Sequence, residues 1–211
     1  MAKSGIIHSI WAYLRHFFTS WNTTGEGIHS PYLFHLVRFV IRDTNPFYCF
    51  AEIERKKAQL MNCEERTDVG QMAFRVVNFM SQHEKRPLNI VEVGATTGII
   101  TAYLASPNST NKVVQADEDS LYKYARERID VAYVHCGFTN EEVRNMADFV
   151  LPRLTEKGVL MIEGVHDSEE TEQVWKMLKN DKRVTTSIDV LHAGLLFVDK
   201  HYLKRHYIIR L

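Results

Sequence analysis

The stretch Ile90–Ala105, IVEVGATTGIITAYLA, decides how this chain is read. An apolar run carrying Glu92 ends at Gly94, Gly98 follows, and a helix-forming segment begins. A strand that turns through glycine into a helix brings backbone N–H groups to one point and lets a ligand approach the main chain closely. The spacing is E-x-G-x-x-x-G. Thr96 stands where the middle glycine of G-x-G-x-x-G would be, which disfavours a dinucleotide pyrophosphate in that turn. The acid suits a cationic or hydroxyl-rich ligand better than a diphosphate.

Working outward, the residues around this turn alternate between strand and helix. Upstream, GIHSPYLFHLV opens a helix with Ser30 as cap, Pro31 at the first position and Leu33, Val37, Val40 and Ile41 on one face. Asn45-Pro46 stops it, CFAEIERKKAQLM forms a second helix, and a third starts near Asp68 with Val69, Met72, Ala73, Val76, Val77 and Met80 at helical spacing. Downstream, KVVQA is a strand ending at Asp117, SLYKYARER a short helix, and DVAYV a strand. NEEVRNMADFVLPRL is a helix capped by Thr139, followed by Gly158 and then the strand VLMIE. A helix over SEETEQVWKMLKN, capped by Asp167 or Ser168, leads to a hairpin of VTTSIDVL and LLFVDK turning at His192-Ala193-Gly194. HYIIRL adds a final strand. This order predicts an α/β fold with a mostly parallel sheet covered on both faces and an antiparallel C-terminal hairpin. Its boundaries are residues 66–211, with a helical N-terminal extension over residues 1–65.

Composition narrows the function classes. Hydrophobic residues make up 45% and charged residues 25% of the 211, as in ordinary soluble domains. Lys+Arg and Asp+Glu each total 26, which argues against a nucleic-acid partner held by phosphate contacts. The three cysteines (Cys49, Cys63, Cys136) have no C-x-x-C spacing and are expected as small buried hydrophobes in a reducing cytoplasm. The N-terminal segment is broken by His8, Arg15 and His16, so neither a secretory signal nor a membrane span is expected. Its aromatics Trp11, Tyr13, Phe17, Phe18 and Trp21 are expected to form an amphipathic helix that docks on the body or on a partner such as a second copy of the chain; attachment to a membrane surface is less favoured, since only Lys3 and Arg15 supply positive charge.

The glycine turn, Asp117 about 20 residues beyond it and the HAGLLFVDK hairpin together resemble the class I S-adenosylmethionine-dependent methyltransferases. The small-molecule O-methyltransferase branch is the most similar. The resemblance covers roughly two-thirds of the chain, from about Gln71 onward, and implies a Rossmann-like methyltransferase sheet binding S-adenosylmethionine. By it, Glu92 would approach the methionine amino group, Gly94, Ala95 and Gly98 would lie against the cofactor, and Asp117 would hold the ribose. A small-molecule acceptor is implied.

Two departures weigh against turnover. Only ten residues lie between Asp119 and Asp130, too few for the helix–strand–helix that the family places there, so the third strand is expected to be missing. Half of the adenine site would go with it, unless Tyr122 or Tyr124 offers a stacking platform. The metal-dependent branch also carries hard carboxylate ligands after its fourth and fifth strands. Here His135 and the pair Glu163-Gly164 stand in those places, so no Mg²⁺ site is expected. His135, Glu163 and His166 would suit a softer ion such as Zn²⁺; without metal, His135 or His166 would act as base for a hydroxyl acceptor. Two functions therefore stand side by side: a methyltransferase acting on a small molecule, and a catalytically inactive methyltransferase fold serving as an interaction module.

Overall fold

The structure, a computed structural model, describes residues 2–20, 27–61, 63, 65–124 and 126–210, without the side chains of residues 2–10, 118 and 124. Strands β1 (Asn89–Val93), β2 (Lys112–Ala116), β3 (Ile129–Val134), β4 (Leu154–Glu163), β5 (Thr186–Asp189), β6 (Ala193–Phe197) and β7 (Arg205–Ile208) form one sheet in the order β2-β1-β3-β4-β6-β5-β7. β1 pairs in parallel with β2 and β3, and β3 in parallel with β4. β6 lies antiparallel between β4 and β5, and β7 joins β5 in parallel. The expected α/β architecture with its antiparallel hairpin is present. Among the described residues no strand lies outside β2, so the third strand of the family pattern is missing.

Alternation along the strands feeds two cores. Ile90, Val131, Tyr133, Met161 and Leu195 point into one, shared with helices α2 (Pro31–His35), α3 (Phe50–Ala58), α4 (Thr67–Glu84) and α5 (Ile99–Ala105). Val91, Val93, Ala132, Val134 and Ile162 point into the other, under α7 (Asn140–Val150) and α8 (Glu169–Asn180). Between β2 and β3 lies only α6 (Glu118–Leu121) with a short 3-10 turn. α2 starts as expected, with Ser30 as cap and Pro31 next, but continues through Leu36–Ile41 as π-helix. Thr139 and Ser168 each close a capping box.

Three expectations change. β4 begins at Leu154 and runs through Gly158, because its pairing with β3 continues across a register shift near Ile129. A Cβ at residue 158 would lie 2.9 Å from the Thr155 nitrogen and 3.0 Å from the Ile129 oxygen, so glycine lets the two backbones close there. The hairpin turns one step earlier than its residues suggested: Leu191 takes the left-handed φ of 71°, while Ala193 and Gly194 already pair with β4. Of the cysteines, Cys49 is buried, Cys63 half-buried and Cys136 exposed.

Helix α1 (Ala2–Thr19) docks by its polar and small residues rather than its rings. Ala12 and His16 are buried, and Arg15 pairs with Glu172 at 2.7 Å. Trp11, Tyr13, Phe17 and Phe18 remain exposed, Phe18 at 77%. Trp21 lies outside the described residues. No helix among the described residues is long and apolar enough to cross a membrane.

Candidate functional site

The strand order reverses between β1 and β3, since β1 has β2 on one side and β3 on the other. In open α/β sheets the crevice outside the carboxyl ends of the strands at this point is where ligands bind. The glycine turn closes β1 there. Gly94 and Gly98 have φ of 87° and 77°, values that a side chain resists, so the turn itself requires glycine. Their surroundings differ. A Cβ on Gly94 would meet the Phe138 ring at 2.6 Å, whereas one on Gly98 would meet nothing within 4 Å. Ligand room therefore exists beside Gly98, and Phe138 covers Gly94.

Glu92 points inward from β1 and is 0% exposed. One carboxylate oxygen lies 2.8 Å from His135 Nε2, and the other accepts from the Thr101 hydroxyl at 2.6 Å, which in turn accepts from Gln115 at 2.7 Å. His135, just past β3, faces Glu163 at the end of β4 with Nδ1 3.7 Å from its carboxylate. Tyr133 donates to the same carboxylate at 3.2 Å. Burial pushes the Glu163 carboxyl up, with His135 and Tyr133 opposing only in part. Burial and the neighbouring Glu163 likewise drive the Tyr133 phenol well above its ordinary value.

Glu163 and His135 line a cavity of about 200 Å³ between α7 and α8, walled mainly by Phe138, Val143, Val174 and Trp175. An apolar cavity with a few convergent polar groups, one of them a carboxyl raised by burial, is the usual form of a small-molecule site. Phe138 lines this cavity and also covers Gly94, so one ring touches both the cavity and the glycine turn. Arg66, before α4, reaches Asp167 in the loop after β4 at 3.4 Å.

The remaining expected residues lie elsewhere. His166 is not brought to His135 and Glu163. Its Nε2 lies 2.8 Å from Asp189, which also accepts from Trp175 at 2.8 Å and neighbours His16 at 3.4 Å. These contacts fasten α8 and α1 to the end of β5. Asp117 is exposed at the end of β2, and one of its oxygens caps α6 by accepting from the Ser120 N–H at 2.7 Å. The Ser120 hydroxyl and N–H hold the Asp117 carboxyl below its ordinary value. Tyr122 packs edge-on against Phe149, with ring centroids 5.0 Å apart.

Glu65 and Thr101 escaped the sequence reading. Glu65 is 8% exposed, and its carboxylate accepts from Thr96 at 3.4 Å and from the Ile100 N–H at 3.3 Å. It thus satisfies the start of α5 from within the chain. No periodicity marks an acid in the loop between two helices. Only the requirement that the N–H groups of α5 find an acceptor could have pointed to one.

No protein-family model and no curated protein matches this sequence. Solved structures do match. Cofactor-bound Rv0187 from MTB superposes with a TM-score of 0.54 at 11% identity, over 75% of this chain and 93% of that one. The O-methyltransferase from Bacillus cereus, in complex with SAH, gives 0.52 at 13% identity over 73% and 92%. The SAH-bound methyltransferase PaMTH1 from Podospora anserina gives 0.52 at 9% over 74% and 90%. These superpositions, over a seven-stranded, mostly parallel sheet with an antiparallel hairpin, give the chain the Rossmann-like fold of the class I S-adenosylmethionine-dependent methyltransferases.

Proposed function

We propose that the crevice at the ends of β1, β2 and β3 binds S-adenosylmethionine and that the adjoining cavity receives a small, largely apolar acceptor for methyl transfer. The observation that carries this reading is Glu163, a buried carboxyl raised by its surroundings, lining a cavity one aromatic ring away from the glycine turn. The chain fits the cofactor in part. Gly98 offers open space and Asp117 an exposed carboxylate for the ribose hydroxyls, while Glu92 already has a partner on each oxygen. Bound in the crevice, the cofactor supplies a methyl group on a sulfonium centre.

The protein's own part is alignment, exclusion of water and removal of a proton. Glu163, once ionised, takes the acceptor's hydroxyl proton on a carboxylate oxygen. Tyr133 and His135 hold that carboxylate in place, and Glu92 fixes the His135 ring from its other nitrogen. The apolar walls keep water from the site, and Phe138 turns aside to join the two spaces. One carboxylate and one imidazole are weak ligands for Mg²⁺, so the transfer proposed is metal-free.

A second reading, a catalytically inactive interaction module, is favoured by a specific set of contacts. Glu92, Glu65 and Asp117 are all engaged inside the chain, and Phe138 covers Gly94. On that reading the exposed rings of α1 form the contact surface for a second copy. Calorimetric titration with S-adenosylmethionine and S-adenosylhomocysteine decides between them. Micromolar binding that weakens in Gly98→Val supports the first reading; no binding at millimolar ligand leaves the second.

A further inference from the structure

A second constellation lies at the opposite end of the sheet from the crevice. Glu156 sits near the start of β4, and Asp199 and His201 sit in the turn that follows β6. His201 Nδ1 is 2.8 Å from a Glu156 oxygen and 2.9 Å from an Asp199 oxygen. Ligand atoms of all three lie within 4.8 Å of one another; among the described residues this is the one such His/Cys/Asp/Glu set.

From this geometry we infer that Glu156, Asp199 and His201 form a binding site for a divalent first-row transition cation such as Zn²⁺. Two features make the arrangement more than a surface ion pair. Its frame is fixed before any ion arrives. Asp199 is only 5% exposed, and its ligating oxygen also accepts from the His201 N–H at 2.9 Å, which sets the Asp-x-His turn. β4 pairs with β6 from Val159↔Phe197 onward, and this holds Glu156 beside that turn. The second feature is the charge. One ring nitrogen faces two carboxylates, so an imidazole nitrogen and two anionic oxygens converge on one point.

The donor set selects the ion. One imidazole nitrogen with two carboxylate oxygens suits Zn²⁺, Co²⁺ or Ni²⁺, whereas Mg²⁺ and Ca²⁺ prefer oxygen alone. The cation takes the place of the Nδ1 hydrogen, which leaves to solvent, and Nε2 keeps its own hydrogen. Three protein ligands leave further positions open on the exposed side, where His201 is 79% accessible. They face a groove lined by Arg128, Lys182 and Lys200, so water or a small anion completes the shell.

Untagged protein titrated with Co²⁺ tests this, because a tetrahedral or five-coordinate cobalt site absorbs visibly and free cobalt barely does. The expected result is one equivalent of Co²⁺ with visible d–d bands, displaced by Zn²⁺. His201→Gln and Glu156→Gln should each weaken it by on the order of tenfold or more. Both side chains are exposed, so these variants are expected to fold, and their melting without metal checks it. No visible band at millimolar Co²⁺ would overturn the inference. So would a band that survives both substitutions, or one that disappears in His135→Gln instead, since that would put the ion in the crevice.

Discussion

Asp130 and Glu163 are buried carboxylates on neighbouring strands, at opposite ends of the sheet, and they are treated in opposite ways. Asp130, 0% exposed near the start of β3, accepts from both terminal nitrogens of Arg86 at 2.9 and 2.7 Å, from the Asn89 N–H at 2.8 Å and from Thr155 at 2.9 Å. Burial alone would raise its carboxyl, but Arg86 and the two further donors overrule that and hold it below its ordinary value. Glu163 has a distant imidazole, a phenol, the Arg66 charge and the Cys136 backbone for company, and burial still wins. The difference separates structure from function. A carboxylate whose lone pairs are all answered ties elements together, and one left under-answered beside a cavity keeps chemistry available.

Removing the answered carboxylate should have the largest effect. Asp130→Ala leaves the Asn89 N–H and the Thr155 hydroxyl without their acceptor, while the part-exposed Arg86 turns to water, and should cost about 3 kcal/mol in denaturant unfolding. A loss below 1 kcal/mol would place the pair among ordinary surface bridges. Gly94→Val comes next. The φ of 87° and the Phe138 ring both oppose a side chain, for a cost of about 2–3 kcal/mol. In a Phe138→Ala background the steric part should vanish and the backbone part remain; equal costs in both backgrounds would show that the ring yields freely.

The third prediction concerns pH. Glu163 has a raised folded value, so the folded state binds its proton more readily than the unfolded state does. Stability from this group is therefore fully present below the ordinary carboxylate range and falls as pH rises through the folded value. Glu163→Gln should flatten that decline in melting temperature between mildly acid and neutral pH. Asp130, with a lowered value, contributes the other way: its stability is present above the ordinary carboxylate range and is lost only as pH falls through the folded value. An unchanged slope in Glu163→Gln would remove Glu163 as the under-answered group. The smallest effect on folding belongs to Asp117→Ala. This residue is fully exposed, so melting should scarcely move, while affinity for S-adenosylhomocysteine should fall by about tenfold. Undiminished affinity would limit Asp117 to capping α6.

Much of this was legible in the sequence, and what was not has a common cause. The strands of the parallel half and the loss of a crossover follow from apolar runs and chain length, which are local or countable. The glycine turn announced itself because φ above zero is costly for other residues. The engagement of Glu92 by His135 could not be read, because it joins residues far apart in sequence that only the register of β1 and β3 brings together. Gly158 misled for a related reason: glycine marks a turn, but also a place where two backbones close. On α1 the rings suggested the docking face, yet Arg15 and His16 do the fastening because Glu172 and Asp189 are buried opposite them. Those two acids sit more than 150 residues away.

With nothing beyond β2 in the described sheet, the outer backbone groups of Lys112–Ala116 make an unpaired ladder, a template on which another chain's strand can add. The segment is five residues long, and Lys112 at its entry is exposed and paired with Glu127 at 2.8 Å. Shortness and a charge at the lip are what natural sheets use to discourage such addition. Having given up its third strand, the chain relies on this blunted border to end the sheet.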